Sequence, residues 1–307
     1  MLTGKDILSI DDFERGDFDA LLKLAAQYDE KGIPVDLLRG HVCGALFFEA
    51  STRTRLSFET AMQRLGAGVV GFADPGATSQ KKKGESFEDT IRMVSGYVDA
   101  IVMRHPEAGA AARAAAVASV PVINAGDGAN EHPTQTLLDL YAIQTTQGEI
   151  DGKTIAMVGD LKYGRVPHSL AKALTKFDGV KQIWVAPDSL QMPDQYTEAV
   201  ERAGGEYVKT DSMQEALAEA DIVYMTRVQA ERFDDPTEYE RVKDVYIVTP
   251  EMLEEAGPKK HMRILHALPR IVEIPTSIDE TPYAYYFEQA AGGVPVRAAL
   301  LASVLTE

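Results

Sequence analysis

Cysteine is nearly absent from this chain: Cys43 stands alone among 307 residues, in an apolar run, so an intrachain disulfide is excluded and a packed thiol is expected. No Cys/His cluster has the spacing of a zinc site, and neither a metal nor a cofactor is expected. No apolar run reaches the roughly 18 residues that would cross a bilayer, and no basic stretch followed by an apolar one opens the sequence. The expected location is therefore the cytoplasm. Positive charge is scarce as well, with 31 basic against 47 acidic residues and a net charge of −16, which repels nucleic acid and anionic membranes. A dinucleotide fingerprint would need glycine at 159, 161 and 164, and position 161 is Leu. No Ser/His/Asp or Cys/His arrangement suggests a covalent nucleophile.

What remains is a globular composition, 45% hydrophobic and 25% charged, in a length that suits two domains of about 150 residues. Against the acidic background one stretch is dense in anion-binding groups. Ser51-Thr52-Arg53-Thr54-Arg55 follows the apolar run Cys43 to Phe48 and precedes Leu56, Phe58, Ala61, Met62 and Leu65 at helical spacing. This reads as strand, turn and helix start. The first N–H groups of a helix have no intrahelical acceptor and its dipole is positive there, so the hydroxyls and guanidinium forks surround a ready-made anion seat.

Strands alternate with helices from there on. Val69 to Phe72, Asp99 to Met103 and Val120 to Asn124 read as strands, with helices over 86 to 97 and 109 to 119, and Arg104 falls just past a strand end. The next helix opens with Glu131-His132-Pro133-Thr134-Gln135, which places His132 and Gln135 on one face near its positive end. This βαβ rhythm makes a parallel sheet over about residues 40 to 135. A second series starts after Gly148, with strands at Thr154 to Asp160, Gln182 to Ala186, Asp221 to Thr226 and Arg263 to Leu265. Arg165, Arg227, Gln229 and the His266-Ala267-Leu268-Pro269-Arg270 loop follow strand ends, where open α/β sheets bind ligands. Helical patterns at Ala284 to Ala291 and Val296 to Leu305 are placed to pack back on the first domain. The fold class is thus α/β, two domains, each a parallel sheet flanked by helices, with the active site in the cleft between them. Lys162 and Arg270 read as surface charges, and His41, His105, His168 and His261 as structural or solvent-facing.

Six segments in order then resemble the aspartate/ornithine carbamoyltransferase family: Phe48 to Arg55, Val102 to Pro106, His132 to Gln135, Leu161 to Arg165, Met225 to Gln229 and Leu265 to Arg270. The resemblance implies transfer of a carbamoyl group from carbamoyl phosphate to an amine. It divides the chain into a carbamoyl-phosphate domain over 1–133 with a returning helix at about 290–307, a connecting helix over 134–147 and an amine-substrate domain over 148–285. Ser51, Thr52, Arg53 and Thr54 would grip the phosphate. Arg104, His132 and Thr54 would polarise the carbonyl, and Gln135 would bind the carbamoyl amide. Arg165, Arg227 and Gln229 would hold the carboxylates of L-aspartate, with Leu268 and Pro269, joined by a cis peptide, orienting the amine. Ser79 and Lys83 would reach into a neighbouring subunit's site, making the active unit a homotrimer. The resemblance leaves room for separate regulatory chains. The sequence departs from the family's common pattern at Ala50, Ala267 and Val272, none a reacting group. Ornithine as amine substrate and an inactive scaffold are the competing readings. Two arginines suit a dicarboxylate better than a cationic side chain, and an inactive chain would have lost Arg53, Lys83, His132 or Arg227.

Overall fold

In the computed structural model, which describes residues 2–74, 76, 83–228 and 235–306, the chain packs as two units. One comprises Met1–Tyr141 with Ala291–Glu307, the other Ala142–Ala290. Ser79 and Gln229 lie outside the described residues, and Lys83 is exposed.

The first unit is built on four parallel strands, β1 (Val42–Phe47), β2 (Gly68–Phe72), β3 (Ala100–His105) and β4 (Val122–Asp127), in the order β2-β1-β3-β4. The chain steps from β1 to one side and then to the other, so its topological switch point lies between β1 and β3. Open α/β sheets bind ligands at the carboxyl ends of the strands there. The helices are α1 (Arg15–Lys31), α2 (Thr52–Arg64), α3 (Phe87–Ser95), α4 (Ala110–Ala115) and the start of α5 (Pro133–Gln147). β1 and β3 are apolar along almost their whole length, as strands covered on both faces must be. β3 runs two residues further than the sequence suggests, so Arg104 is paired within the strand rather than beyond it.

The second unit carries five parallel strands, β5 (Thr154–Val158), β6 (Lys181–Val185), β7 (Glu206–Thr210), β8 (Ile222–Met225) and β9 (Arg263–His266), in the order β7-β6-β5-β8-β9. Its switch point lies between β5 and β8. Helices α6 (Arg165–Leu174), α7 (Asp194–Arg202), α8 (Met213–Glu219), α9 (Pro236–Val242), α10 (Pro250–Ala256) and α11 (Tyr286–Ala291) surround it. Its core joins Val158, Val185, Leu217, Val223, Met225, Ile264 and Tyr286. The edge strand β7, exposed along most of its length, has no apolar run and was not expected from the sequence.

After this unit, α12 (Gly293–Leu305) returns to the first unit and packs on α1 and α2, whereas α11, expected to return as well, stays in the second unit with Tyr286 in its core. All but a few of the residues of α12 are buried, because it is enclosed by helices on more than one side.

Candidate active site

Both switch points carry the residues singled out in the sequence. After β1, Phe48 donates its N–H to the Arg104 carbonyl at 2.8 Å, extending the pairing of β1 and β3 by one residue. The Phe48 ring packs against Phe72, Phe87 and His105 and anchors the turn that follows. Glu49 is thereby set beside Arg104, whose Nε donates to it at 2.9 Å. Ser51 is the N-cap of α2 in extended conformation, yet its hydroxyl makes no capping hydrogen bond. Thr52 and Arg53 start the helix on its open side, while Thr54 is buried. Partial burial, and next the like charge of Arg104, hold the Arg53 guanidinium below its ordinary value. The smaller contribution, from Arg104, sets a second cation near this helix N-terminus, an arrangement that favours an anion. Arg55 is instead tied to Glu59 one turn along, at 2.7 Å.

The segment after β4 delivers the histidine. Asp127, buried at the end of β4, accepts from the N–H groups of Gly109 and Glu131 and from the Asn124 amide. Glu131 reaches back to accept from the Ser9 hydroxyl and the Ile10 N–H, both at 2.8 Å. His132 is thus not on the face of α5 but at its cap, directly before Pro133, with its carbonyl accepting from Gln135 and Thr136. Its Nδ1 accepts from the Gln135 N–H at 3.3 Å. An Nδ1 that accepts places the proton of a neutral ring on Nε2. Nε2 lies 3.5 Å from Thr54 Oγ1, so the helix starts of α2 and α5 meet at this imidazole. Gln135, almost fully buried, turns its amide nitrogen to Asp139 at 2.9 Å.

In the second unit the three adjacent strands β5, β8 and β9 end together, with Val158 opposite Met225 and Met225 opposite His266. The loop after β5 is folded by Asp160, whose carboxylate accepts from the N–H groups of Lys162 and Tyr163. Gly164 follows because a Cβ there would lie 2.6 Å from the Asp160 carbonyl oxygen. This tight turn makes Arg165 the first residue of α6. Arg227 stands two residues past β8, after Thr226, whose N–H and hydroxyl both donate to the Val158 carbonyl. Beyond β9, His266 accepts the Leu268 N–H on Nδ1 at 2.7 Å and donates from Nε2 to Glu273 at 2.9 Å. Glu273 also accepts from the Ile271 N–H, so it holds both sides of the loop. The Leu268–Pro269 peptide is cis, as the resemblance implies, and Leu268 has φ 56°.

The remaining histidines and charges divide. His105 is buried against Phe48 and Phe87, His168 stacks on Tyr196, and His261 pairs with Asp221, all structural roles. Lys162 is exposed beside the Tyr163 ring. Arg270 is not the surface charge expected: it pairs with Asp279, donates to the Tyr286 hydroxyl at 2.8 Å and lies over the Tyr286 ring. Glu49, Asp127, Glu131, Asp139, Glu273 and Arg297 were not read from the sequence as site-building groups. For Asp139 and Arg297 a signal existed, a single charge inside an apolar helical run, which a buried helix tolerates only when the charge is paired. Among the described residues no cluster of His, Cys, Asp and Glu could hold a metal ion, and no helix is long and apolar enough to cross a membrane.

Known proteins match this chain along nearly its whole length. Residues 5–145 match the aspartate/ornithine carbamoyltransferase carbamoyl-P binding domain, and residues 151–304 the Asp/Orn binding domain of the same family. An aspartate carbamoyltransferase catalytic subunit from Vibrio vulnificus (strain CMCP6) is 52% identical over 304 residues, 99% of this chain and 97% of the relative. Aspartate transcarbamoylase from Trypanosoma cruzi, solved in complex with carbamoyl phosphate, superposes with a TM-score of 0.92 at 40% identity, covering 99% of this chain and 97% of that one. The catalytic subunit of M. Jannaschii aspartate transcarbamoylase superposes with a TM-score of 0.88 at 44% identity, covering 97% of both chains. With both switch points carrying the motif residues and both halves matching, the chain belongs to the aspartate/ornithine carbamoyltransferase family.

Proposed function

We propose that this chain transfers the carbamoyl group of carbamoyl phosphate to the amine of L-aspartate, giving N-carbamoyl-L-aspartate and phosphate, an early step of pyrimidine synthesis. The observation that carries this reading is the meeting of Arg53, Thr54, Arg104 and His132 at the β1/β3 switch point, with two like charges crowded at a helix start. Ser51, Thr52, Arg53 and Thr54 bind the phosphate group. Its arrival draws Arg104 from Glu49 toward the substrate. Arg104, Thr54 and the Nε2–H of His132 face the carbamoyl oxygen, where negative charge grows as the amine attacks. Donors fixed before the reaction stabilise that charge without reorganising, and one such donor typically contributes about 3 kcal/mol. Phosphate leaves into the same cationic seat, and no enzyme nucleophile is needed.

Arg165, Arg227 and Gln229 bind the two carboxylates of aspartate, and the Leu268 carbonyl, with Pro269 next to it, orients the amine. Ornithine would bring an ammonium group to the same two arginines, which they repel. Relatives in solved structures hold carbamoyl phosphate, aspartate and N-(phosphonacetyl)-L-aspartic acid. The active unit is a cytoplasmic homotrimer in which Ser79 and Lys83 of the partner subunit complete each site, and the catalytic-subunit names of the relatives favour separate regulatory chains. The test is a carbamoyl-transfer assay with aspartate and ornithine offered in parallel. Turnover of aspartate is expected, and turnover of ornithine alone would overturn the reading. Mixing Lys83→Ala with Arg53→Ala chains under subunit exchange is expected to restore part of the activity.

A further inference from the structure

We propose that Asp139 and Arg297 set the acyl-group specificity of the phosphate-binding unit by fixing which end of the Gln135 amide faces the substrate, an inference that rests on the carbamoyl-transfer reading. Asp139 is fully buried and lies one helical turn after Gln135, whose Nε2 donates to it at 2.9 Å. An ionised carboxylate accepts hydrogen bonds and donates none, so the amide has only one orientation that satisfies it. With the NH2 group committed to Asp139, the Gln135 carbonyl oxygen points away from it and is the end left for a ligand. It presents an acceptor.

A buried cation whose charge reaches this carboxylate stands on α12. Arg297 is 2% exposed and lies over the Phe58 ring, with the Asp139 carboxylate opposing the fall in its pKa that burial causes, to about 10. It is therefore cationic at neutral pH. Gly293, one turn earlier on α12, leaves the space that the Arg297 guanidinium fills, which a Cβ there would take. Arg297 also donates to the Ser57 hydroxyl at 2.6 Å, and Ser57 donates in turn to the carbonyls of Arg53 and Thr54. One buried cation thus braces the first turn of α2 through Ser57 and lies within electrostatic reach of the carboxylate that orients Gln135. A removed counter-ion would leave Asp139 uncompensated in the interior, where a carboxylate is strongly disfavoured.

The acceptor matters because a carbamoyl group carries NH2 where an acetyl group, nearly the same size, carries CH3. A site whose buried acceptor is left unpaired rejects the analogue that lacks the donor. Asp139 and Arg297 touch neither substrate, so both are positioning residues. The readout is the KM for carbamoyl phosphate set against the Ki of acetyl phosphate as its competitive inhibitor. A damaged phosphate grip weakens both ligands alike and cancels in this ratio.

In Asp139→Asn the amide partner can donate or accept, Gln135 loses its fixed orientation, and the carbamoyl phosphate KM is expected to rise about tenfold, the worth of roughly one hydrogen bond. The acetyl phosphate Ki is expected to stay within about twofold on the same grounds. In a Gln135→Ala background the same substitution is expected to leave the ratio where Gln135→Ala alone puts it. Equal weakening of both ligands, no change in either, or a further shift in the Gln135→Ala background overturns the proposal. Should Asp139→Asn not fold, Arg297→Lys, which keeps the cation, is expected to preserve the ratio, and Arg297→Met to raise it. Identical ratios in those two variants overturn it equally. A wild-type chain without carbamoyl transfer would remove the functional reading itself, before any variant is compared.

Discussion

Arg104 illustrates how a single side chain is prepared for the role proposed for it. It sits within β3, held at 2.9 Å from Glu49 and close enough to Arg53 to depress the latter's pKa. Replacing it by Ala should lower kcat by roughly 10²–10³, the usual loss for one preorganised donor to a developing oxyanion. Steady-state kinetics with saturating aspartate checks this, and retention of more than a tenth of the activity would contradict the role. Glu273 allows a prediction of pH dependence. Burial pushes its carboxyl up, but the His266 bond and backbone donors outweigh that and hold it below its ordinary 4.5. A depressed folded-state value means that its stabilisation is complete above the unfolded carboxyl's range and fades as pH falls through the folded one. Urea midpoints taken from pH 7 to pH 4 should therefore fall more steeply for the wild type than for Glu273→Gln. Residues of this kind were only partly legible beforehand. The hydroxyls and guanidiniums of Ser51 to Arg55 announced themselves by density, whereas Glu49 and Glu273 gain meaning only from Arg104 and His266, partners outside their own segments.

At the scale of elements, the apolar strands were legible because burial on both faces leaves a continuous hydrophobic run, as in Val42–Phe47 and Ile222–Met225. β7 was not, since Glu206 and Lys209 put an exposed charge on each of its faces and only pairing with β6 defines it. The helix starts carry the sharper consequences. Gly164→Ala would force the Asp160 turn open and displace the start of α6. The expected result is an aspartate KM raised at least tenfold with the carbamoyl phosphate KM little changed, since misplacement of a binding group by about 1 Å can cost 10²-fold. Measuring both constants on the same preparation decides it. At α3, Ser86 caps the helix by accepting from the Asp89 N–H at 3.1 Å. Ser86→Ala should cost about 1 kcal/mol, seen as a lower denaturation midpoint.

For the whole molecule, the two matched domains and the two units follow from one pattern, a parallel sheet whose strand order reverses once, and that pattern was readable from the βα rhythm alone. Which neighbour each strand takes was not, because order depends on packing between elements far apart in sequence. The division predicts where ligands act. Inorganic phosphate should slow amide exchange at the first turns of α2 and α5 while leaving the strands β5 to β9 unchanged, because binding stabilises the structure that binds. Uniform protection of both units would contradict a phosphate seat confined to the first.

The return of α12 to α1 and α2 has a consequence for biosynthesis. A ribosome delivers α2 early, but the helix that braces its Ser57 emerges only after the entire second unit has been made. Domains usually fold in the order of their synthesis. Here the unit that begins first must finish last, and its nascent form must hold an uncovered apolar face for as long as the other takes to appear.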